Sequence, residues 1–284
     1  MTASVTERQI SEGLVSLGLN ESSAVLVHSS LRSFGHVHGG APSVCNALRS
    51  VCGTVMVPAG TWDVTGLPAP PGLERPDNAV SKPSTWREFD QALAQAMPYS
   101  PELPIDRGLG RIPETMRQQM QHVRSTHPLM SYLAVGMHAD ILVQRQRLDW
   151  PLGPIEALEE IGGDVLLLGV GHTSSTTIHL AEQRLGRSCF WRYAKVYEGV
   201  WMELPNVPGD SSAFDDIEPQ LRALTREVRI GQCRARRVAV ADVIAVATRV
   251  ILANPSALLP ENPHPESRSA AALRQRLTRL SAHH

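Results

Sequence analysis

The stretch that decides the fold is DVLLLGVGHTSSTTIHLAE, which starts at Asp164 and ends at Glu182. Residues 165–170 are apolar, few, and flanked by Gly163-Asp164 on one side and Gly171 on the other, the pattern of a buried strand. The hydroxyl-rich run from Thr173 to Thr177 predicts a loop that ends in a helix N-cap. His179 and Glu182 then fall at i and i+3 in the first two turns of that helix, so both side chains share one face. A base and an acid thus stand beyond the carboxyl end of a strand, where open α/β sheets bind their ligands.

The same alternation runs outward from this stretch. Thr6-Glu7-Arg8-Gln9 reads as a capping box, and Ile10, Leu14 and Leu17 give the following helix an apolar face that stops at Gly18. Residues 24–27 form a strand that enters His28-Ser29-Ser30-Leu31 and a glycine-bearing loop, 35–40. A helix starts at Pro42, with Val44, Ala47, Leu48 and Val51 on its buried side. Residues 54–57 are the next strand, ended by Pro58. This αβαβ start places the chain in the α/β class.

Residues 63–110 differ in character, because they hold eight of the 21 prolines and so exclude regular sheet. One helix is predicted inside them, 84–97, with Trp86, Phe89, Leu93 and Met97 inward. The segment is either a binding loop or lid or a plain surface insertion. Further on, the pattern predicts helices over 113–123, 155–161 and 240–252 and a strand over 129–135. It also predicts a hairpin, 190–196 with 200–204, around Glu198-Gly199. We take 1–260 as one domain and 261–284, with a predicted helix over 267–280, as an appended tail.

Composition narrows the function. A net charge of -1 and only two lysines, Lys82 and Lys195, give no electrostatic footprint for nucleic acid or a membrane surface. The polar N-terminus lacks a signal-peptide core, and Asp242 and Arg249 interrupt the most apolar late segment, so a cytoplasmic protein is expected. Cys45, Cys52, Cys189 and Cys233 form no CxxC pair, and Cys45 and Cys52 read as small buried apolar residues. P-loop, HExxH and GxSxG signatures are missing, which argues against a P-loop nucleotide site, a catalytic zinc and a hydrolase elbow. Arg107-Gly108-Leu109-Gly110-Arg111 comes near the pyrophosphate signature of GNAT-type acetyltransferases but fails at its last position.

Six segments in order carry a resemblance: VHSSLRSFGHVHGGAPSV, GTVMVPAGTWD, RGLGRIPE, RSTHPLMSYLAVG, GPIEALEEIGGDVLLLGVG and TTIHLAE. Together they resemble the aminoglycoside 3-N-acetyltransferases, an antibiotic N-acetyltransferase family distinct from GNAT enzymes. The resemblance implies a three-layer α/β/α sandwich around a mixed sheet. It also implies acetyl transfer from acetyl-CoA to an aminoglycoside 3-amino group, with no metal. It makes His179 and Glu182 the catalytic pair, in place of the lone structural histidine that the residues alone also allow.

Other positions follow from the same match. His28, Ser29, Ser30, Leu31, Arg32, Gly35 and Val37 match a coenzyme-binding segment. Physically, a loop leading to a helix N-terminus offers N–H groups to a pyrophosphate, though an ordinary Ser/Gly-rich turn has the same composition. Arg124, Ser125, His127 and Ser131 match a second site segment, where Arg124 either meets a phosphate or makes a surface salt bridge. Thr176 keeps a hydroxyl that the family has, while Ser175 replaces a common Asn. An acidic pocket suits a polycationic drug, so Asp63, Asp77 and Glu182 are candidate contacts. Asp90 is a weaker one, and Trp62 is either an apolar wall or a core residue. Two other readings remain open: an acyltransferase of this fold acting on another amine in natural-product biosynthesis, and a non-catalytic binder of a cationic small molecule.

Overall fold

The computed structural model describes residues 4–73 and 85–260. Thr6 and Gln9 form the expected capping box in front of α1 (Glu7–Ser16). β1 (Ala24–Ser29) leads through a 3₁₀ turn, Leu31–Phe34, to α2 (Gly40–Val51) and β2 (Thr54–Pro58). The Pro-rich region contributes α3 (Trp62–Thr65), the two-residue β3 (Gly66–Leu67) and α4 (Trp86–Gln95). Then come α5 (Arg111–Gln119), β4 (Val123–Arg124), β5 (Tyr132–Gly136), α6 (Ala139–Gln144) and α7 (Gly153–Glu160). β6 (Asp164–Leu168) precedes α8 (Thr177–Arg184), and β7 (Phe190–Tyr197) and β8 (Val200–Val207) form the hairpin. The chain closes with α9 (Glu218–Leu221), β9 (Arg226–Ile230), β10 (Cys233–Ala239) and α10 (Val240–Ala253).

Seven strands make one sheet in the order β4-β5-β2-β1-β6-β10-β9. β2, β1 and β6 are parallel neighbours, and the strands that flank them are antiparallel. The sheet is therefore mixed, and its parallel centre explains the unbroken apolar runs, since parallel strands are covered on both faces. Alternation sorts the side chains. Val25, Val27, Leu166 and Leu168 pack with α1, α2 and α5, whereas Leu26, Val165 and Leu167 pack with α6, α7, α8 and α10. The result is helix, sheet, helix. A second sheet, β3-β7-β8, packs the Pro-rich region through Leu67, Phe89 and Tyr193. Among the described residues no helix is long and apolar enough to cross a membrane.

Several expectations need correction. In α4 only Phe89 is fully buried, against Trp201 at 5.3 Å between ring centroids. Trp86 is 55% exposed, because a helix that rests on one small sheet has a narrow buried stripe, and Met97, 48% exposed, lies past the helix, which stops at Gln95 instead of 97. The helix expected to end at Val123 stops at Gln119, and Val123 starts a strand instead. Pro113 sits inside its first turn, where backbone N–H groups have no helical partner to lose. The strand expected from Leu129 begins at Tyr132, since the Leu129 and Met130 N–H groups donate to His127 Nδ1 in a turn. The β9–β10 hairpin was not expected. Its charged alternation, with Arg226, Glu227, Arg229, Arg234, Arg236 and Arg237, suits a sheet edge kept from pairing with other chains. Asp77, Ser84 and the tail helix over 267–280 lie outside the described residues.

Leu166→Ala should lower unfolding free energy by about 2–5 kcal/mol, because Leu166 is fully buried in the central sheet. A urea melt checks this, and a midpoint close to that of the unaltered protein would contradict the two-sided packing of β6.

Candidate active site

The parallel strands point their carboxyl ends at one edge of the sheet, and a cleft of about 820 Å³ opens there. One wall is the β1 exit, His28 to Arg32; another is Arg107 to Arg111; a third is Val170, Thr173, Ser174 and Thr176. Gly169 fixes how these walls meet. Its φ is +70°, and a Cβ there would overlap the Ser33 hydroxyl. The Ser33 Oγ donates to the Ser30 carbonyl at 2.7 Å and the Ser30 N–H to the Leu168 carbonyl at 2.9 Å, so the β1 exit is held against the end of β6.

α8 rises from this edge directly after Thr176. Its start is not side-chain capped: Thr176 occupies the N-cap with helical φ and ψ, and a 3₁₀ turn, His172–Ser174, precedes it. That differs from the hydroxyl cap expected of the Ser/Thr run. His179 and Glu182 do share a face. His179 Nδ1–H donates to Glu182 Oε2 at 2.6 Å, which leaves Nε2 as the nitrogen for chemistry. The imidazole is 7% exposed and packs edge-on against Phe214, with centroids 4.7 Å apart. Glu182 is 1% exposed, and its Oε1 accepts from Arg187 Nε at 2.8 Å. Both of its oxygens are engaged inside the protein, so the expectation that Glu182 also meets the sugar is not carried forward.

Of the coenzyme candidates, His28, Ser29, Ser30, Leu31, Arg32 and Thr176 come together in the cleft. Gly35 and Val37 do not line it. Gly35 ends the 3₁₀ turn at φ +79°, and Val37 is buried and bridges to Val5. Arg124 is a structural staple. Its guanidinium donates to the carbonyls of Pro101, Leu103 and Ala59 and to Ser131 Oγ, tying the end of the Pro-rich region to β2 and β4. Ser131 Oγ in turn donates to Ala59 O, and Ser125 Oγ accepts from Tyr132 N–H. His127 is the turn buckle described above. Arg124, Ser125, His127 and Ser131 thus form a buried brace beside the cleft, and neither the phosphate nor the surface salt bridge fits Arg124.

Asp63 and Trp62 are exposed at the start of α3, whose first N–H groups are capped by Asp106 at 2.8 and 2.9 Å. Asp63 Oδ2 accepts from the Arg107 N–H at 3.4 Å, which places it next to the second cleft wall. Asp90 is exposed on α4. The sequence reading missed Arg187, Ser188, Phe214 and His172. Only Arg187 had a usable signal, the Gly186 that precedes it. Arg107 to Arg111 was noticed for its failed match to a signature, yet it lines the cleft.

Electrostatics favour neutral histidines at this edge. Burial pushes His28 down to about 3, with the neighbouring His172 adding to the effect. Burial, then the Arg236 charge, brings His172 down to about 4. Burial also holds His127 at about 4. His28 Nε2, Ser29 Oγ, His172 Nδ1, Ser175 Oγ and Thr177 Oγ1 are buried and make no hydrogen bond within the described residues. Buried polar atoms are normally satisfied, so the two that belong to cleft residues, on His28 and Ser29, mark where a polar ligand fits. Ser175, shorter than the Asn common in the resembling family, makes no side-chain contact at the helix start among the described residues, although its carbonyl accepts from the Ile178 N–H at 3.3 Å.

Comparison with known proteins agrees with the fold. The aminoglycoside 3-N-acetyltransferase family model matches residues 26–251. The SPbeta prophage-derived aminoglycoside N(3')-acetyltransferase-like protein YokD of Bacillus subtilis is 31% identical over 271 residues, 88% of this chain and 94% of that protein. Its crystal structure superposes with a TM-score of 0.78 at 29% identity, covering 90% of this chain and 96% of that one. Aminoglycoside N(3)-acetyltransferase VII of Streptomyces paromomycinus is 33% identical over 224 residues, 74% of either chain. AAC-IIIb, solved as a binary complex with CoASH, shares the fold at 23% identity and a TM-score of 0.71, covering 87% of this chain and 96% of that one.

Two outcomes follow from the site. Arg124→Met should reduce stability by on the order of 3 kcal/mol, since several charge-assisted bonds go at once, while leaving the KM for acetyl-CoA within about twofold. A selective rise in that KM without loss of stability would restore the phosphate role. Second, His28, His127 and His172 titrate below the ordinary histidine value of 6.5, so the unfolded chain binds protons that the folded chain refuses. Stability is full above about pH 6.5 and falls as pH drops toward the folded-state values. Thermal melts between pH 7 and pH 5, above the carboxylate range, should show a falling midpoint; a flat midpoint would contradict the neutral histidines.

Proposed function

The chain belongs to the aminoglycoside 3-N-acetyltransferase family, and from that premise we propose that it moves acetyl from acetyl-CoA to the 3-amino group of a 2-deoxystreptamine aminoglycoside, with His179 as general base. The observation that carries the mechanism is the 2.6 Å bond from His179 Nδ1 to a buried Glu182, on the helix that starts directly after the cleft residue Thr176; His179 itself does not line the cleft. That bond fixes the tautomer and leaves Nε2 as the nitrogen that can accept a proton. A family name alone supplies no such residue roles.

The chemistry sets the requirements. An aminoglycoside amine is largely protonated in water and attacks only as the free amine. Bound acetyl-CoA supplies the thioester carbonyl as electrophile and the thiolate as leaving group. As the new N–C bond forms and the C–S bond breaks, the nitrogen sheds one proton, and His179 Nε2 receives it. His179 then returns that proton to solvent or to the departing thiolate, which balances the step. We take direct attack over an acyl-enzyme: Cys45, Cys52 and Cys233 are buried thiols that burial pushes up to about 12, 12 and 11, and the half-buried Cys189 has its Sγ donating to the Arg187 carbonyl at 3.6 Å.

Binding roles follow from the walls. Arg32, Arg107 and Arg111 stand exposed at the cleft and suit the phosphates of the cosubstrate. Ser29 and His28 offer buried polar atoms that have no hydrogen-bond partner among the described residues. Asp63 and Trp62 at the neighbouring rim suit an ammonium group and an apolar sugar face. Their carboxylate and indole are exposed, as a solvated polycation needs.

The test is CoA thiol release from acetyl-CoA with gentamicin, kanamycin, neomycin and apramycin. Drug-dependent release is expected, and His179→Ala should lower kcat by about 10²–10⁴-fold with CoA binding retained. A variant that keeps more than about a tenth of kcat would rule out an essential base. Release with none of these drugs would move the substrate to a different amine.

A further inference from the structure

Helix α8 does not simply stop after Glu182; it closes in a motif that returns a charge onto that carboxylate. Gly186, at φ +72°, takes the left-handed position past the helix end. The Gly186 N–H donates to Gln183 O at 3.0 Å and the Arg187 N–H to Glu182 O at 2.8 Å. Those two bonds are the Schellman pair, which brings the residue after the glycine back over the third residue from the helix end. An apolar contact usually joins those two positions. Here they are Arg187 and Glu182, an ion pair in which each side chain is 1% exposed.

The guanidinium is used on both edges. Nε donates to Glu182 Oε1 at 2.8 Å, and Nη2 lies 2.6 Å from the same oxygen as a charge contact off the hydrogen-bond direction. Nη1 donates to the carbonyls of Pro255 and Ala257, at 2.7 and 2.9 Å, in the turn after α10. That turn is itself anchored by Leu258, buried at φ +62°. Ser188, next in the chain and also left-handed at φ +59°, puts its Oγ 3.4 Å from His179 Nδ1. Buried non-glycine residues adopt that conformation only where their surroundings impose it.

We propose that Arg187 is a positioning residue for His179, acting through Glu182 and held in turn by the Pro255 and Ala257 carbonyls. The inference rests on the general-base reading of His179. Its logic is charge balance. A buried carboxylate alone, 2.6 Å from the imidazole, would stabilise imidazolium and keep the base protonated near neutral pH. Arg187 cancels that charge while leaving Oε2 free to orient Nδ1–H. Other charged groups on the elements packed around α8 are engaged elsewhere or face outward. Arg184 pairs with Glu156 and Glu159 of α7 on the outer side. Near Phe214, Asp215 accepts from Thr173 N–H, and Asp216 is exposed. On α10, Asp242 borders Arg226 and Arg237, and Arg249 is exposed. Of the adjoining hairpin, Arg192 lies over Phe190 and Lys195 pairs with Glu198.

The experiment compares Arg187→Met, Arg187→Lys, Glu182→Gln and the double variant Glu182→Gln/Arg187→Met in the full chain, by kcat/KM across pH with thermal midpoints alongside. Arg187→Met should lower kcat at pH 7 by about 10–100-fold, the range found when groups that orient a reacting side chain are removed. Its acid limb should move up by roughly 1–3 pH units, with the KM for acetyl-CoA unchanged. Arg187→Lys, which keeps the charge but offers fewer donors, should restore the limb and recover only part of kcat. In the Glu182→Gln background, Arg187→Met should add little. An unshifted acid limb in Arg187→Met would overturn the proposal, as would an equal further loss in the Glu182→Gln background. If Arg187→Met fails to fold, the Arg187→Lys profile decides: a wild-type limb with reduced kcat supports the role, and wild-type kcat opposes it. His179→Ala, run in parallel, reports on the base itself. Full activity there removes the general-base reading, whereas an inactive His179→Ala beside an unaffected Arg187→Met removes only this inference.

Discussion

A carboxylate with almost no exposure has to be compensated where it sits, and Glu182 is compensated on both oxygens. Removing one partner from such a buried set leaves an unpaired charge, which costs far more than the pair gains. Much of the surrounding structure can be understood as meeting that demand. α8 ends in a left-handed glycine so that Arg187 can turn back. The turn after α10 supplies the carbonyls that hold Arg187. Ser188 accepts a strained backbone beside His179. The turn after α10 is therefore tied to Glu182 through Arg187.

The sheet supplies the other half of the arrangement. Three parallel strands direct their carboxyl ends to one edge, and the loops from two of them, together with the segment Arg107 to Pro113, enclose the cleft. α8 starts from the same edge, so the ligand space and the His179–Glu182 pair are placed by a single topological decision. Arg124 and Ser131 brace the adjoining region by tying the end of the Pro-rich region to β2. Rigid packing below and exposed acidic and aromatic groups at the rim suit a site that must seat a large, polycationic partner.

Legibility in the sequence followed physical range. β1, β2 and β6 were readable because burial on both faces leaves a continuous apolar run, and α1 because its cap is local. The His179–Glu182 pair was readable because i,i+3 spacing on a helix is a local fact. β9 and β10 were not, since a charged edge pair carries no hydrophobic period. Trp86 was misplaced because a helical stripe predicts a face but not how much sheet lies beneath it, and Met97 because the helix stops at Gln95. Arg124 was assigned to a ligand because its chain neighbours suggested one, while its actual partners lie at least 21 residues away except for Ser131. Arg187 escaped notice because its role depends on a left-handed turn, although Gly186 was there to announce it.

The most direct test of the central claim is the position of the acetyl group in the product. The unaltered chain, incubated with acetyl-CoA and a 2-deoxystreptamine aminoglycoside that supports thiol release, should yield one mono-acetylated drug whose NMR spectrum places the acetyl on the 3-amino group. Acetyl on a different amine, or thiol release with no acetylated drug, would contradict the account.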